Sequence, residues 1–210
     1  MANANSPRGL VPYAYMSGAP YNGAVRTYYV PSGNGTALYI GDPVDIVQNN
    51  SDGNGVPVAE IATAGSTHAI LGAFMGISNN AGQFTIPLLQ SQPVYLPAGQ
   101  AAYIYVCDDP FLLYWVQENS IGGGGTSGAM VSGASGGNTN LIAGAGSTYS
   151  GYSGWQLDSS LLSQAGSDGT LQIRIIQALQ EPDNAIGPYC KWMVKINQGL
   201  SSFTSAVTNA

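Results

Sequence analysis

Short β-branched and aromatic runs, each stopped by Gly, Asn, Asp or Pro, recur along this chain. The clearest instance is Gly151-Tyr152-Ser153-Gly154-Trp155-Gln156-Leu157-Asp158, followed after a Ser/Gly/Asp turn by Leu171-Gln172-Ile173-Arg174-Ile175-Ile176. Leu171, Ile173 and Ile175 alternate with polar neighbours, which is the period of a half-buried strand. Almost nothing reads as a long amphipathic helix. Many short strands separated by turn signals predict an all-β sandwich or barrel, with the strand order left open.

The strands are expected to begin at Thr36. Thr36 to Ile40 and Val44 to Val47 flank a Gly41-Asp42-Pro43 turn, in which Pro fixes its own φ and Asp caps the turn. Further strands are expected at Val56 to Ala62, His68 to Gly76, Gln83 to Leu89, Val94 to Leu96, Ala101 to Cys107 and Phe111 to Val116. The last two are Leu171 to Ala178 and Lys191 to Ile196, with a turn at Glu181-Pro182-Asp183-Asn184 between them. Residues 122–146 are rich in glycine, with Ser, Thr, Asn and Ala, and are expected to form a long surface loop because they offer little to bury. Residues 1–35 carry Pro7, Pro12, Pro20 and Pro31, a density that forbids a long helix and favours an extended N-terminal arm. The same segment holds Tyr13, Tyr15, Tyr21, Tyr28 and Tyr29. An isolated arm cannot bury five tyrosines against itself, so it lies along its own domain or grips a neighbour. The expected organisation is an arm (1–35), one β domain (36–197) and a polar C-terminal tail (198–210).

Charge narrows the function. Charged residues make up 8% of the chain, against roughly 25% in ordinary soluble domains. Its surface must therefore be built from Ser, Thr, Asn, Gln, Gly and Tyr, which desolvate cheaply and suit assembly contacts. Five basic residues and a net charge of −6 cannot neutralise a run of phosphates, so direct binding of nucleic acid is not expected. The opening residues Met1 to Arg8 are small and polar, without a secretory pattern, and no apolar run approaches a membrane span. Synthesis in the cytoplasm is expected, with Cys107 and Cys190 as reduced core residues.

Candidate chemistry is sparse. His68, the single histidine, lies among apolar residues and is expected to be a packed or hydrogen-bonded residue. Asp52-Gly53-Asn54-Gly55 resembles part of a calcium loop but lacks the remaining ligands and the closing Glu. Gly133-Ala134-Ser135-Gly136-Gly137 matches a nucleophile elbow, and Gly123, Gly125 and Gly128 match a dinucleotide fingerprint. Both matches fall in a glycine run without the strand-turn-helix context that those motifs need. Asp108-Asp109 ahead of Pro110 fits an Asx turn better than a catalytic pair, because adjacent strand residues point apart. No catalytic residue, metal ligand or cofactor is assigned, and no enzymatic role is expected.

A set of short motifs then carries a resemblance. Gly9-Leu10-Val11-Pro12, Ser17-Gly18-Ala19-Pro20-Tyr21-Asn22-Gly23, Tyr39-Ile40-Gly41-Asp42-Pro43-Val44 and Leu71-Gly72-Ala73-Phe74-Met75-Gly76 occur in order. Asp108-Asp109-Pro110 with Gln117-Glu118, Gly146-Ser147-Thr148, Ser153 to Asp158, and Pro182-Asp183-Asn184 ahead of Lys191 to Asn197 continue the series. Together they resemble a family of tailed-phage capsid cement, or decoration, proteins that stabilise the head. The resemblance covers most of the chain. The glycine-rich insert and the residues after Asn197 are longer than that pattern. It implies a jelly-roll-like β domain on the capsid exterior, cementing neighbouring subunits of the major capsid protein and associating with copies of itself. It also implies an arm that reaches an adjacent subunit through Tyr13, Tyr15, Tyr21, Tyr28 and Tyr29, with Arg8 and Arg26 as directional anchors. Two rival readings are a glycan-binding β module using Trp155, Trp192 or exposed tyrosines, and a glycoside hydrolase with two convergent carboxylates.

Overall fold

The computed structural model describes residues 3–78, 94–121, 129–161 and 169–200. In chain order the strands are β1 (Val11–Tyr15), β2 (Arg26–Val30), β3 (Pro43–Ser51), β4 (Pro57–Ile61), β5 (Gly72–Ser78), β6 (Ala102–Cys107) and β7 (Leu112–Gln117). They continue with β8 (Asn138–Thr139), β9 (Leu141–Ile142), β10 (Gln156–Leu157), β11 (Ile173–Ala178) and β12 (Lys191–Ile196). The only helical pieces among the described residues are 3-10 turns at Ser132–Ala134 and Ser159–Leu161. The protein is thus all-β, as its turn-punctuated sequence predicts.

Two sheets carry the architecture. Strands β2, β4, β3, β5 and β6 close into a barrel in that order, with β2 and β4 parallel and every other pair antiparallel. Strands β1, β7, β12, β11 and β8 form an antiparallel five-stranded sheet beside it. None of these pairings identifies a jelly roll. Val30, Leu38, Val44, Ala59, Phe74, Leu96, Ile104 and Val106 fill the barrel. A second core joins the barrel's flank, through Ala73 and Cys107, to the inner face of the sheet, which presents Leu112, Tyr114, Val116, Ile173, Ile175, Trp192 and Val194. The period-two alternation of β12 is what allows this, because Trp192 and Val194 go inward while Lys191, Met193 and Lys195 stay outside.

The N-terminal segment is part of this body rather than an arm. β1 pairs with β7 as the sheet's edge strand, and β2 lies between β4 and β6, so the barrel is not closed without it. Proline density misleads here because an edge strand tolerates the missing N–H, and Pro12 sits in such a strand beside a bulge at Tyr13. The domain therefore begins before Thr36. Thr36 to Ile40 and Val94 to Leu96 contribute single bridges, Leu38 to Leu96 and Ile40 to Tyr152, instead of strands. The predicted strand Gln83 to Leu89 lies outside the described residues.

The glycine-rich segment is corrected in its second half, its first part, 122–128, lying outside the described residues. Met130, Ala134 and Leu141 enter the core, β8 pairs with β11, and β9 pairs with β10. Its polar residues are buried because they are bonded. Asn140 Oδ1 accepts from Gln172 N–H at 3.1 Å and Asn140 Nδ2 donates to Ser66 Oγ at 3.1 Å. Gln172, fully buried, makes four bonds with its own amide: it accepts from Gly65 N–H and Leu141 N–H and donates to the Thr63 and His68 carbonyls. A satisfied amide at that position ties the loop after β4 to β9 and β11. Of the tail, residues 198–200 continue the body, with Ile70 N–H bonded to Gln198 O at 2.8 Å, and 201–210 lie outside the described residues.

The turn Tyr39–Asp42 binds these parts together. Leu10 N–H donates to Gly41 O, Gly41 N–H to Phe74 O, Phe74 N–H to Asp42 O and Ile40 N–H to Gly151 O, each at 2.8 Å. Gly41 has φ +95°, and a Cβ there would overlap the Arg8 carbonyl oxygen. The substitution Gly41→Ala is therefore expected to cost about 3 kcal/mol, through both the left-handed backbone and the overlap, read as a lowered urea midpoint.

Candidate functional site

The residues assigned to a partner-gripping arm divide into two groups. Tyr28 is buried, and its hydroxyl donates to Asp108 Oδ2 at 2.6 Å while Arg26 Nη1 donates to the same oxygen at 3.2 Å. Tyr21 donates to Ala24 O at 3.0 Å and lies 2.8 Å from Cys107 Sγ. Tyr114, on the inner face of β7, donates to Cys107 O at 2.9 Å. Burial above all, then the bond to Cys107, raises the Tyr21 hydroxyl far above its ordinary value, and burial followed by Asp108 does the same for Tyr28. Burial pushes the Cys107 thiol up to about 12 and that of Cys190 to about 11, so both are poor nucleophiles near neutrality. Both cysteines are free and buried. This cluster ties β2 and the segment before it to the end of β6 and to β7, and its groups are committed to one another.

Tyr15 and Tyr29 are half-buried. Tyr15 donates to Asn22 Oδ1 at 2.9 Å, and the Tyr29 ring lies 5.3 Å from that of Tyr103. Arg8 places its guanidinium 4.5 Å from the Tyr152 ring centroid, an internal cation–π contact. Of the seven assigned residues, the Tyr13 side chain, at 46% exposure, is the aromatic presented to solvent.

Two further exposed apolar residues lie near the end of β1, and the sequence reading missed them. Met16 and Phe111 are 54% and 58% exposed, and Met16 N–H donates to Phe111 O at 2.9 Å, so the two residues sit side by side at the end of the β1–β7 pair. The hairpin that follows β1 folds back on it, with Tyr15 N–H bonded to Ala19 O and Tyr21 N–H to Tyr13 O. Turn chemistry therefore holds Tyr13 and Met16 on a rigid edge. Lys195 Nζ lies 5.9 Å from the Phe111 ring. Met16 and Phe111 exposed side by side, with Tyr13 exposed three residues earlier on the same edge, give a body so poor in charge the composition of an interface centre. Hydrophobic residues in a loop-to-strand edge leave no periodic signal, and Phe111 is visible in sequence only as the first residue of a strand.

Other candidates resolve differently. Trp155 and Trp192 are 3% and 0% exposed, so neither is a stacking platform for a sugar. His68 is exposed rather than packed, and it is its carbonyl that serves the fold. Asp109 makes the expected Asx turn, accepting from Phe111 N–H at 2.8 Å, while its neighbour Asp108 is buried on Tyr28 and Arg26. Asp52 accepts from the Asn54 and Val56 amides and the Tyr103 hydroxyl, so the calcium-like loop uses its carboxylate internally. No group of three or more metal-ligating side chains occurs among the described residues. At the barrel mouth an open groove of about 440 Å³ is lined by Tyr29, Ile77, Ser78, Leu96, Gln100 and Tyr103.

One buried charge stands apart. Asp42 is 1% exposed, Oδ2 accepts from Tyr39 N–H at 2.8 Å, and Oδ1 meets no donor within ordinary hydrogen-bond geometry among the described residues. Burial raises its carboxyl to about 6, an effect that Ser153 and the Tyr39 amide only partly offset. Glu118, buried and accepting from Ser120 and Tyr189 amides, is also raised by burial.

Comparison of the chain with known protein families, curated proteins and solved structures returned no match.

Proposed function

We propose that this chain is a structural virion protein that docks on the outside of a tailed-phage capsid and cements neighbouring subunits of the major capsid protein. The observation that carries the proposal is the exposure of Met16 and Phe111 side by side at the end of the β1–β7 pair, with Tyr13 exposed on the same edge strand, in a body with 8% charged residues. The ordered motif resemblance supplies the class of partner. In this reading the cluster is the anchor: it buries three large apolar side chains in a cleft between capsid subunits, and the neutral polar surface around it desolvates at little cost. Each contact is weak alone, and repetition on a fixed lattice raises the effective concentration of every further copy. Because β2 closes the barrel, the docking element is this edge and not a detachable arm.

The test is binding of wild type and of a Tyr13→Ser, Met16→Ser, Phe111→Ser variant to empty heads of the cognate major capsid protein. All three side chains are solvent-exposed, so the variant is expected to keep the wild-type melting transition while binding at least about tenfold more weakly. Equal binding by the two proteins would remove the cluster from the interface.

A further inference from the structure

We infer that the outer face of the five-stranded sheet, along β7, β12 and β11, takes a carboxylate-bearing surface of the major capsid protein, with Arg174 and Lys195 as the groups that select it. The inference rests on the shell-docking proposal and names the chemistry of the partner beside the Met16 and Phe111 edge.

The chain carries five basic residues within a net charge of −6. Three of them are occupied inside the molecule: Arg8 lies over the Tyr152 ring, Arg26 bonds Asp108 at 3.2 Å, and Lys191 bonds Glu181 at 2.8 Å. Arg174 and Lys195 form no ion pair among the described residues, and strand register sets them directly opposite each other on β11 and β12. Strand alternation points both outward, because Ile173, Ile175 and Val194 belong to the inner core. Two like charges facing across adjacent strands destabilise the isolated chain. A carboxylate placed over the pair reverses that cost, because the guanidinium takes it through two N–H groups and the ammonium adds a point charge. No acid of the described chain does this: Glu181 is taken up by Lys191, and Asp109 accepts from the Phe111 amide.

The cationic pair is continuous with the docking edge. Lys195 Nζ lies 5.9 Å from the Phe111 ring, and the Phe111 carbonyl accepts from Met16 N–H. On the same outer face Met193 pairs in register with Trp115, and both are half-buried, as is Leu113. An apolar floor with two uncompensated cations beside it suits a partner surface whose aliphatic or aromatic side chains are flanked by Asp or Glu. The acidic remainder of the chain repels such a surface, and this face attracts it. Charge therefore fixes the orientation of docking, while the apolar contacts hold the complex once formed.

The experiment is binding of the full chain to empty heads in low and high salt, by wild type and by a variant carrying Arg174→Glu with Lys195→Glu. Wild type is expected to bind more tightly in low salt than in high. The reversed chain is expected to bind at least about tenfold more weakly than wild type in low salt, and to lose that salt dependence. If it lacks a normal melting transition, Arg174→Gln with Lys195→Gln replaces it, and the same loss of salt dependence is expected. Intact heads whose exposed carboxylates have been converted to neutral amides are expected to bind wild type at least about tenfold more weakly, and to bind the Gln variant as untreated heads do. Charge variants that bind like wild type, or amidated heads that bind wild type normally, would overturn the inference and leave docking through Met16 and Phe111 standing. Wild type that self-associates in low salt, where the variant does not, would put a second copy on this face and overturn it as well. Wild type that binds no heads would overturn both readings.

Discussion

Deleting residues 1–31 is expected to abolish cooperative folding. The deletion removes β1 from the sheet edge and β2 from the barrel, leaving β4 and β6 as open edges with unpaired backbone groups. It also takes Leu10, Tyr28 and Val30 from the two cores. Each fully buried side chain of this size is worth about 1.5–3 kcal/mol, and whole domains are stable by only about 5–15 kcal/mol. Losing two strands and three core residues consumes that margin. Thermal melting followed by circular dichroism is expected to lose its sigmoidal transition. A truncated chain that melts cooperatively near the wild-type temperature would show that residues 1–31 are an appendage after all. The same argument rules out this deletion as a clean test of partner binding, which is why the surface triple variant is used instead.

The second large effect is a stability that rises as pH falls. Asp42 has a carboxyl raised from 3.8 to about 6 in the folded protein. Between those values the folded chain holds a proton that the unfolded chain has released, so acidification through this window favours folding. Above about pH 6 the destabilisation is fully present, and it is relieved progressively on the way down to about pH 4. The shift corresponds to about 3 kcal/mol. Glu118, raised in the same sense, adds to the slope, while Asp52, lowered first by its bond with Tyr103, acts oppositely and only below the ordinary carboxylate range. Asp42→Asn keeps an acceptor for Tyr39 N–H and removes the buried charge. The variant is expected to be more stable than wild type at pH 7.5 and to lose most of the pH dependence between 7.5 and 4.5, by urea midpoints. Wild type that weakens steadily from pH 7.5 to 5, or a variant less stable than wild type at 7.5, would contradict the assignment.

What the sequence discloses follows the physics of each element. β12 is read with its full bounds because Lys191 to Ile196 alternates cleanly over one buried face. β6 and β7 are nearly as clear, since turns at Asp108-Asp109-Pro110 separate two apolar runs. β1 and β2 are hidden by prolines that an edge strand accommodates, and by tyrosines whose hydroxyls find Asp108, Cys107 and Asn22 only in three dimensions. The stretch after Met130 is hidden for another reason: Asn138, Thr139 and Asn140 read as solvated loop, yet all three are buried, with Thr139 bonded to Asp158 O and Asn140 to Gln172. Composition correctly flags a surface built without charge. It cannot say which apolar residues stay outside, and so Met16 and Phe111 emerge only from the folded edge. The like-charge pair Arg174–Lys195 depends on strand register, which no spacing along the chain discloses.

The most direct measurement of the proposed role is light scattering after size-exclusion chromatography of empty heads mixed with this protein, together with the melting temperature of those heads. A ligand that binds only the assembled shell must stabilise it, by an amount that grows with concentration. Stoichiometric co-elution, with a head melting temperature that climbs as protein is added and falls back for the Tyr13, Met16 and Phe111 variant, is the predicted result. Heads that elute bare and melt unchanged, beside a folded chain at its own elution volume, would contradict it.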